Sequence, residues 1–145
     1  MMRNIFAKNN AARISFESTL RLVGIPIITL ENNNKQYNFI LDTGATTSLV
    51  NSSIINELQN KEVVDGEDLV SGLNPDINYK ASRYIIEFNI LNDKFKHQFS
   101  VFNLNDTFMD LAQETGIMVH GLLGSDFFRD KKYILDYNEH LLYHK

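Results

Sequence analysis

Apolar residues return at every second position along most of this chain, and that period commits it to β-strands rather than helices. From Arg13 the order Ile14, Phe16, Leu20, Leu22 against Arg13, Ser15, Glu17, Arg21 predicts a half-buried strand over 13–22. Gly24 and Pro26 interrupt it, and Ile25–Leu30 is predicted as its antiparallel return. Asn32-Asn33-Asn34 is a turn, after which Tyr37-Asn38-Phe39-Ile40-Leu41 forms a nearly continuous apolar strand suited to an interior position. Tyr84, Ile86, Phe88 and Ile90 alternate again. A turn at Asn92-Asp93 joins them to Phe95, His97, Phe99 and Val101, giving a long hairpin. A second hairpin closes the chain, with 133–137 and 141–143 flanking Asn138-Glu139. Predicted helices are few and short. One follows a capping box, Thr107 with Asp110, carries Phe108, Leu111 and Ala112 as its stripe, and stops at Gly116. Brief helices are also expected over 51–58 and 125–129.

Composition sets the limits. A chain of 145 residues that is 43% apolar can build one domain with a substantial core. Residues 1–12 are expected to be a disordered N-terminal segment, and 13–145 a single domain. Fourteen basic against eighteen acidic side chains leave a net charge of −4 with no basic block, which argues against a nucleic-acid or anionic-membrane partner. A spanning helix would need about 20 consecutive apolar residues, and no such run exists. The first residues lack the apolar region of a secretory signal, so a cytoplasmic location is expected. With no cysteine there is neither a disulfide framework nor a thiol nucleophile. His97, His120, His140 and His144 show no metal-ligand spacing, and no phosphate-binding or dinucleotide loop appears, so no metal or cofactor is expected.

Two segments carry chemistry. Asp42-Thr43-Gly44-Ala45 directly follows the apolar strand, where a carboxylate is poorly solvated and its ionisation depends on its neighbours. Gly44 permits close backbone approach, and the Thr43 hydroxyl both donates and accepts. An ordinary Asx turn would account for the tetrapeptide taken alone. Far downstream, Val119-His120 leads into Gly121-Leu122-Leu123-Gly124 and then Ser125-Asp126-Phe127-Phe128, an apolar strand bounded by glycines before a short helix. Alone, this is a core strand and a turn. His120 stands where it can line a cleft or simply stabilise the core. Thr46, Thr47 and Ser48 either touch a ligand or begin a return strand.

In this order the two segments resemble the retropepsin-like aspartic proteases. Asp42-Thr43-Gly44 corresponds to that family's catalytic loop, and Leu122-Leu123-Gly124 to the element that crosses beneath it. The resemblance implies a mostly β fold, a small closed β-barrel with one or two short helices, with a flap hairpin over a cleft and a homodimeric active site. It also implies an aspartic endopeptidase in which Asp42 is catalytic. Thr43, Gly44 and Ala45 would form the active-site loop and dimer grip, and Gly121, Leu122, Leu123 and Gly124 the support beneath. Peptide-bond hydrolysis of this type needs two carboxylates, yet the chain has one Asp-Thr-Gly. Asp65-Gly66 lacks the hydroxyl residue, and Asp106-Thr107 is followed by Phe108. A homodimer acting on a peptide or protein substrate is therefore expected.

The resemblance places a flap between Asp68 and Tyr84, with Ser71, Gly72 and Leu73 as its cleft-facing residues; their turn composition also suits a plain surface loop. Ala45 cannot donate a hydrogen bond to the outer carboxylate oxygen, which predicts activity reaching toward near-neutral pH. A different class stays open beside the enzyme: a catalytically inactive dimeric module that keeps the fold to bind peptides or assemble.

Overall fold

The structure, a computed structural model, describes residues 13–64, 68–70 and 79–144. Its centre is built by two hairpins. β2 (Ile27–Asn32) returns as β3 (Lys35–Leu41) through Asn33 and Asn34, both at positive φ (52° and 66°), the left-handed pair that a tight two-residue hairpin requires and asparagine tolerates. β8 (Arg83–Ile90) returns as β9 (Asp93–Phe102), with Phe88 opposite Phe95. β4 (Leu49–Asn51) lies parallel to β9, and β10 (Gly121–Leu123) is inserted between β3 and β4. The order β2-β3-β10-β4-β9-β8 closes on itself where Glu31 pairs with Asn89, so six strands form a barrel; β5 (Lys61–Val63) extends it beyond β8. The fold is mostly β, with a closed six-stranded barrel, as expected.

Alternation fills this barrel with aromatic rings. Phe39, Phe88 and Phe99 are fully buried and meet edge to face at 5.3–5.8 Å, the geometry that aromatic quadrupoles favour. Phe127 enters from α3 (Ser125–Lys131), at 5.2 Å from Phe95 and stacked on Tyr133 at 5.1 Å.

The N-terminal alternation is the main correction. Only Arg13–Ser15 forms a strand, β1, and it pairs with the closing strand β12 (Leu141–His144) instead of with β2. Glu17–Val23 is a helix, α1. Several local forces override the period. Gly24 adopts φ 75° and its N–H caps Leu20 at 2.9 Å, Glu17 and Arg21 pair at 2.9 Å one turn apart, and Phe16 buries its ring while its N–H bonds the His140 carbonyl. The described residues accordingly hold three short α-helices rather than one or two.

Two helix starts differ in smaller ways from expectation, and asparagine side chains sit at both. The helix expected over 51–58 is a 3-10 turn, Ser52–Ile54, capped by Asn51. α2 (Asn105–Thr115) starts before the Thr107–Asp110 capping box, which goes unused; Asn103 and Asn51 side chains take the N–H groups of Asn105 and Leu104 instead. Gly116 ends α2 as expected. β11 (Tyr133–Asp136) and β12 form the closing hairpin. In the predicted flap stretch, β6 (Asp68–Val70) pairs antiparallel with β7 (Tyr79–Ala81), while Ser71, Gly72 and Leu73 lie outside the described residues.

Candidate active site

Two chain segments that are distant in sequence become neighbouring strands here. β10 runs parallel to β3 with Gly121 beside Phe39, Leu122 beside Ile40 and Leu123 beside Leu41. On its other side it is antiparallel to β4, with Leu122 opposite Leu49. Such an insertion leaves little space for side chains. A Cβ on Gly121 would strike the Leu49 carbonyl oxygen and the Phe39 ring, and one on Gly124 would lie 2.7 Å from the Ala45 carbonyl oxygen. The glycines flanking Leu122-Leu123 are therefore demanded by the crossing itself.

The loop after β3 rests on this crossing. Asp42 N–H donates to the Leu123 carbonyl at 2.9 Å, Ala45 N–H donates to the Asp42 carbonyl at 3.1 Å, and Ser125 N–H donates to the Ala45 carbonyl at 2.7 Å. Both ends of the tetrapeptide are thus fixed by the second segment. Asp42 is half-buried as a residue, and its carboxylate accepts Gly44 N–H on Oδ1 at 3.0 Å, its one donor among the described residues. Thr43 is exposed, and its hydroxyl has no partner among the described residues. Ile40 and Leu122 sit half-buried beside the loop on the face away from the core.

A second carboxylate lies behind the loop. Asp126, on the first turn of α3, accepts the Ser48 hydroxyl on Oδ1 at 2.8 Å and the Ser48 N–H on Oδ2 at 3.2 Å. His97 Nε2 lies 2.9 Å from the same Oδ2, and Phe127 N–H reaches Oδ1 at 2.9 Å. The Ser48 hydroxyl oxygen in turn accepts Gly124 N–H at 2.9 Å. Burial pushes the Asp126 carboxyl up, but the His97 and Ser48 donors outweigh it and hold it below the usual carboxylate range. Of the alternatives left open for 46–48, Ser48 is settled as an internal anchor: it is fully buried, immediately before β4.

His120 is structural. Its Nδ1 accepts the Asn38 N–H at 3.0 Å, continuing the backbone ladder where β10 has not yet begun, and its ring meets Tyr37 edge-on at 5.2 Å. Burial pulls its pKa down, against a smaller opposing pull from Glu57, so the neutral imidazole that can accept this bond is favoured. Tyr37 donates to Glu57 at 2.9 Å, and burial with that partner raises its phenol to about 12.

Sequence reasoning singled out Asp42 through Ala45 and Gly121 through Gly124, and the structure brings those segments into direct contact. It missed Ser48, Asp126 and His97 as a unit. The available signal was an acidic residue directly behind Gly124-Ser125 and ahead of two phenylalanines, a place where a free carboxylate would be poorly solvated and so needs partners.

The fold has relatives among solved structures. The EIAV protease complexed with the inhibitor HBY-793 superposes with a TM-score of 0.55 at 20% identity, over 77% of this chain and 91% of that one. A retropepsin-like aspartic protease from Rickettsia conorii gives a TM-score of 0.52 at 19% identity, over 91% of this chain and 87% of that one. No curated protein matches. The sequence pattern of the aspartyl protease family matches residues 28–127, a span that holds both the Asp42 loop and the β10 crossing. The chain belongs to the aspartyl protease family.

Proposed function

We propose that the chain is an aspartic endopeptidase that works as a symmetric homodimer, with Asp42 of each subunit forming the catalytic pair. The observation that carries this reading is the state of the Asp42 loop. Backbone bonds to Leu123 and Ser125 hold it rigidly, while its carboxylate keeps one oxygen without a donor among the described residues. A second copy of the loop facing it supplies what one chain lacks. Two carboxylates about 3 Å apart cannot both ionise, so the pair holds one proton between them. Its ionised member takes a proton from a water that attacks the peptide carbonyl, and its protonated member gives its proton to the carbonyl oxygen that would otherwise gain charge. The resulting diol collapses as the pair passes a proton to the nitrogen and takes one back from the diol, so the C–N bond breaks and the amine leaves. General acid–base assistance of this kind contributes roughly 10²–10⁴ in rate.

The neighbouring residues take their roles around that pair. Thr43, exposed and with its hydroxyl unpartnered among the described residues, grips the opposite loop; Gly44 steadies the carboxylate; Ala45 completes the loop. Gly121, Leu122, Leu123 and Gly124 support it from beneath, and the β6–β7 pair is the described part of the stretch that the resemblance assigns to a flap. Ile40 and Leu122 offer an apolar floor for substrate side chains.

Cleavage of casein by the wild-type protein and by Asp42→Asn, from pH 4 to pH 8, tests the reading, with sedimentation velocity at several concentrations alongside. Asp42-dependent cleavage by a dimer is expected. A dimer that binds casein without cleaving it at any pH would instead identify the non-catalytic binding module.

A further inference from the structure

We propose that His97 is a positioning residue for the Asp42 loop, acting through Asp126 and Ser48; this rests on the endopeptidase reading above. His97 belongs to β9, on the opposite side of the crossing from β3, and neither motif segment contains it. Its ring is only 6% exposed, fixed edge-on against Phe99 at 5.4 Å and against Phe127 at 5.8 Å. Held there, Nε2 donates to Asp126 Oδ2 and fixes the orientation of that carboxylate. The carboxylate then takes both the N–H and the hydroxyl of Ser48, and the Ser48 oxygen takes Gly124 N–H. Gly124 and Ser125 are the residues on which Ala45 rests. The chain of contacts therefore runs His97, Asp126, Ser48, Gly124 and the Asp42 loop without a gap.

Burying a histidine and an aspartate together is costly unless each satisfies the other. Two apolar residues of similar volume would fill the same space, but they would leave Ser48 N–H and its hydroxyl without an acceptor. The charged groups around His97 are Asp126 itself and, at the rim of the same depression, Lys96, Arg129, Asp130 and Lys131, with Thr46 and Thr47 from the loop side and apolar Ile85 from β8. With His97 in place, Asp126 stays ionised to lower pH than a carboxylate in that pocket otherwise would. Without its donor, Asp126 takes up a proton at higher pH and releases Ser48.

The test compares His97→Phe, which keeps the ring and loses the donor, with His97→Gln, whose Nε2 restores it. On casein, His97→Phe is expected to lower kcat about tenfold or more with KM little changed, as a small misplacement of catalytic groups does. The acid limb of its pH–rate profile moves to higher pH, and His97→Gln recovers both. A purely structural histidine would lower thermal stability without moving the acid limb. In parallel, the amide NMR signals of Thr43, Gly44 and Ala45 shift in His97→Phe and return in His97→Gln, a readout that needs no turnover. If both variants or neither shift those signals, the positioning role is overturned even where cleavage is intact. If the wild type shows no Asp42-dependent cleavage while the signals behave as expected, the endopeptidase reading fails and the coupling to the loop stands.

Discussion

Two aspartates a few residues from the same crossing live in opposite circumstances. Asp126 is surrounded: Ser48 N–H and hydroxyl, His97 and Phe127 N–H all point at its carboxylate. Asp42 has Gly44 N–H and, among the described residues, nothing else. A carboxylate saturated with donors is a structural rivet, because it gains nothing by changing protonation state or partner. One left half-satisfied at a rigid loop is available for a partner that the single chain does not contain. The fold spends its donors on the aspartate that must not react.

That contrast can be broken most forcefully at Asp42. Asp42→Asn should lower casein cleavage by roughly 10³ or more, the scale of acid–base assistance, while leaving the melting temperature nearly unchanged. Asp126→Ala should do the reverse to stability. Losing a charge-assisted hydrogen-bond set behind the loop costs about 3 kcal/mol, or roughly 10 °C in Tm for a domain of this size, measured by calorimetry. A stable Asp126→Ala protein would end the comparison. Gly124→Ala comes next: its new methyl meets the Ala45 and Thr47 backbone, so a cost of about 1–3 kcal/mol from overpacking is expected in denaturant titrations.

Acid titration of stability sharpens the contrast further. Asp126 has a lowered pKa, so its contribution is fully present above the usual carboxylate value of 3.8 and is lost as pH falls through the lowered one. His120 is also depressed, so its contribution is full above 6.5 and fades as pH falls through its own lowered value. Tm measured from pH 8 to pH 3 should therefore show two losses, and His120→Asn, which keeps an acceptor for Asn38 N–H, should remove the earlier one. The smallest effect is at Ala45. Ala45→Ser offers Asp42 a second donor, and the pH–rate profile should move toward acid by roughly half a unit to one unit, the equivalent of one net hydrogen bond.

Much of the barrel was legible because alternation and burial are the same fact in a half-buried strand: Phe88, Phe95 and Phe99 read as inward and are inward. The Asp42 and Gly121–Gly124 segments were legible through short patterns whose glycines the crossing demands. α1 was misread because Arg13–Leu22 satisfies period two as well as it satisfies a short helix. The deciding signals, the Glu17–Arg21 spacing and the Gly24 stop, are local and weak beside the pattern. The Ser48–His97–Asp126 set was illegible for another reason. Its members lie far apart in the chain and meet only because β4, β9 and β10 are neighbours, which no local pattern encodes.

The parallel seam between β3 and β10 has a consequence for biosynthesis. Its two halves are separated by most of the chain, so loop-closure entropy opposes their meeting until nearly everything else is in place. A nascent polypeptide still on the ribosome, with residues 121–126 inside the exit tunnel, has Asp42 but no seat for it. Until that segment emerges, the Asp42 loop lacks the backbone partners that Leu123 and Ser125 give it.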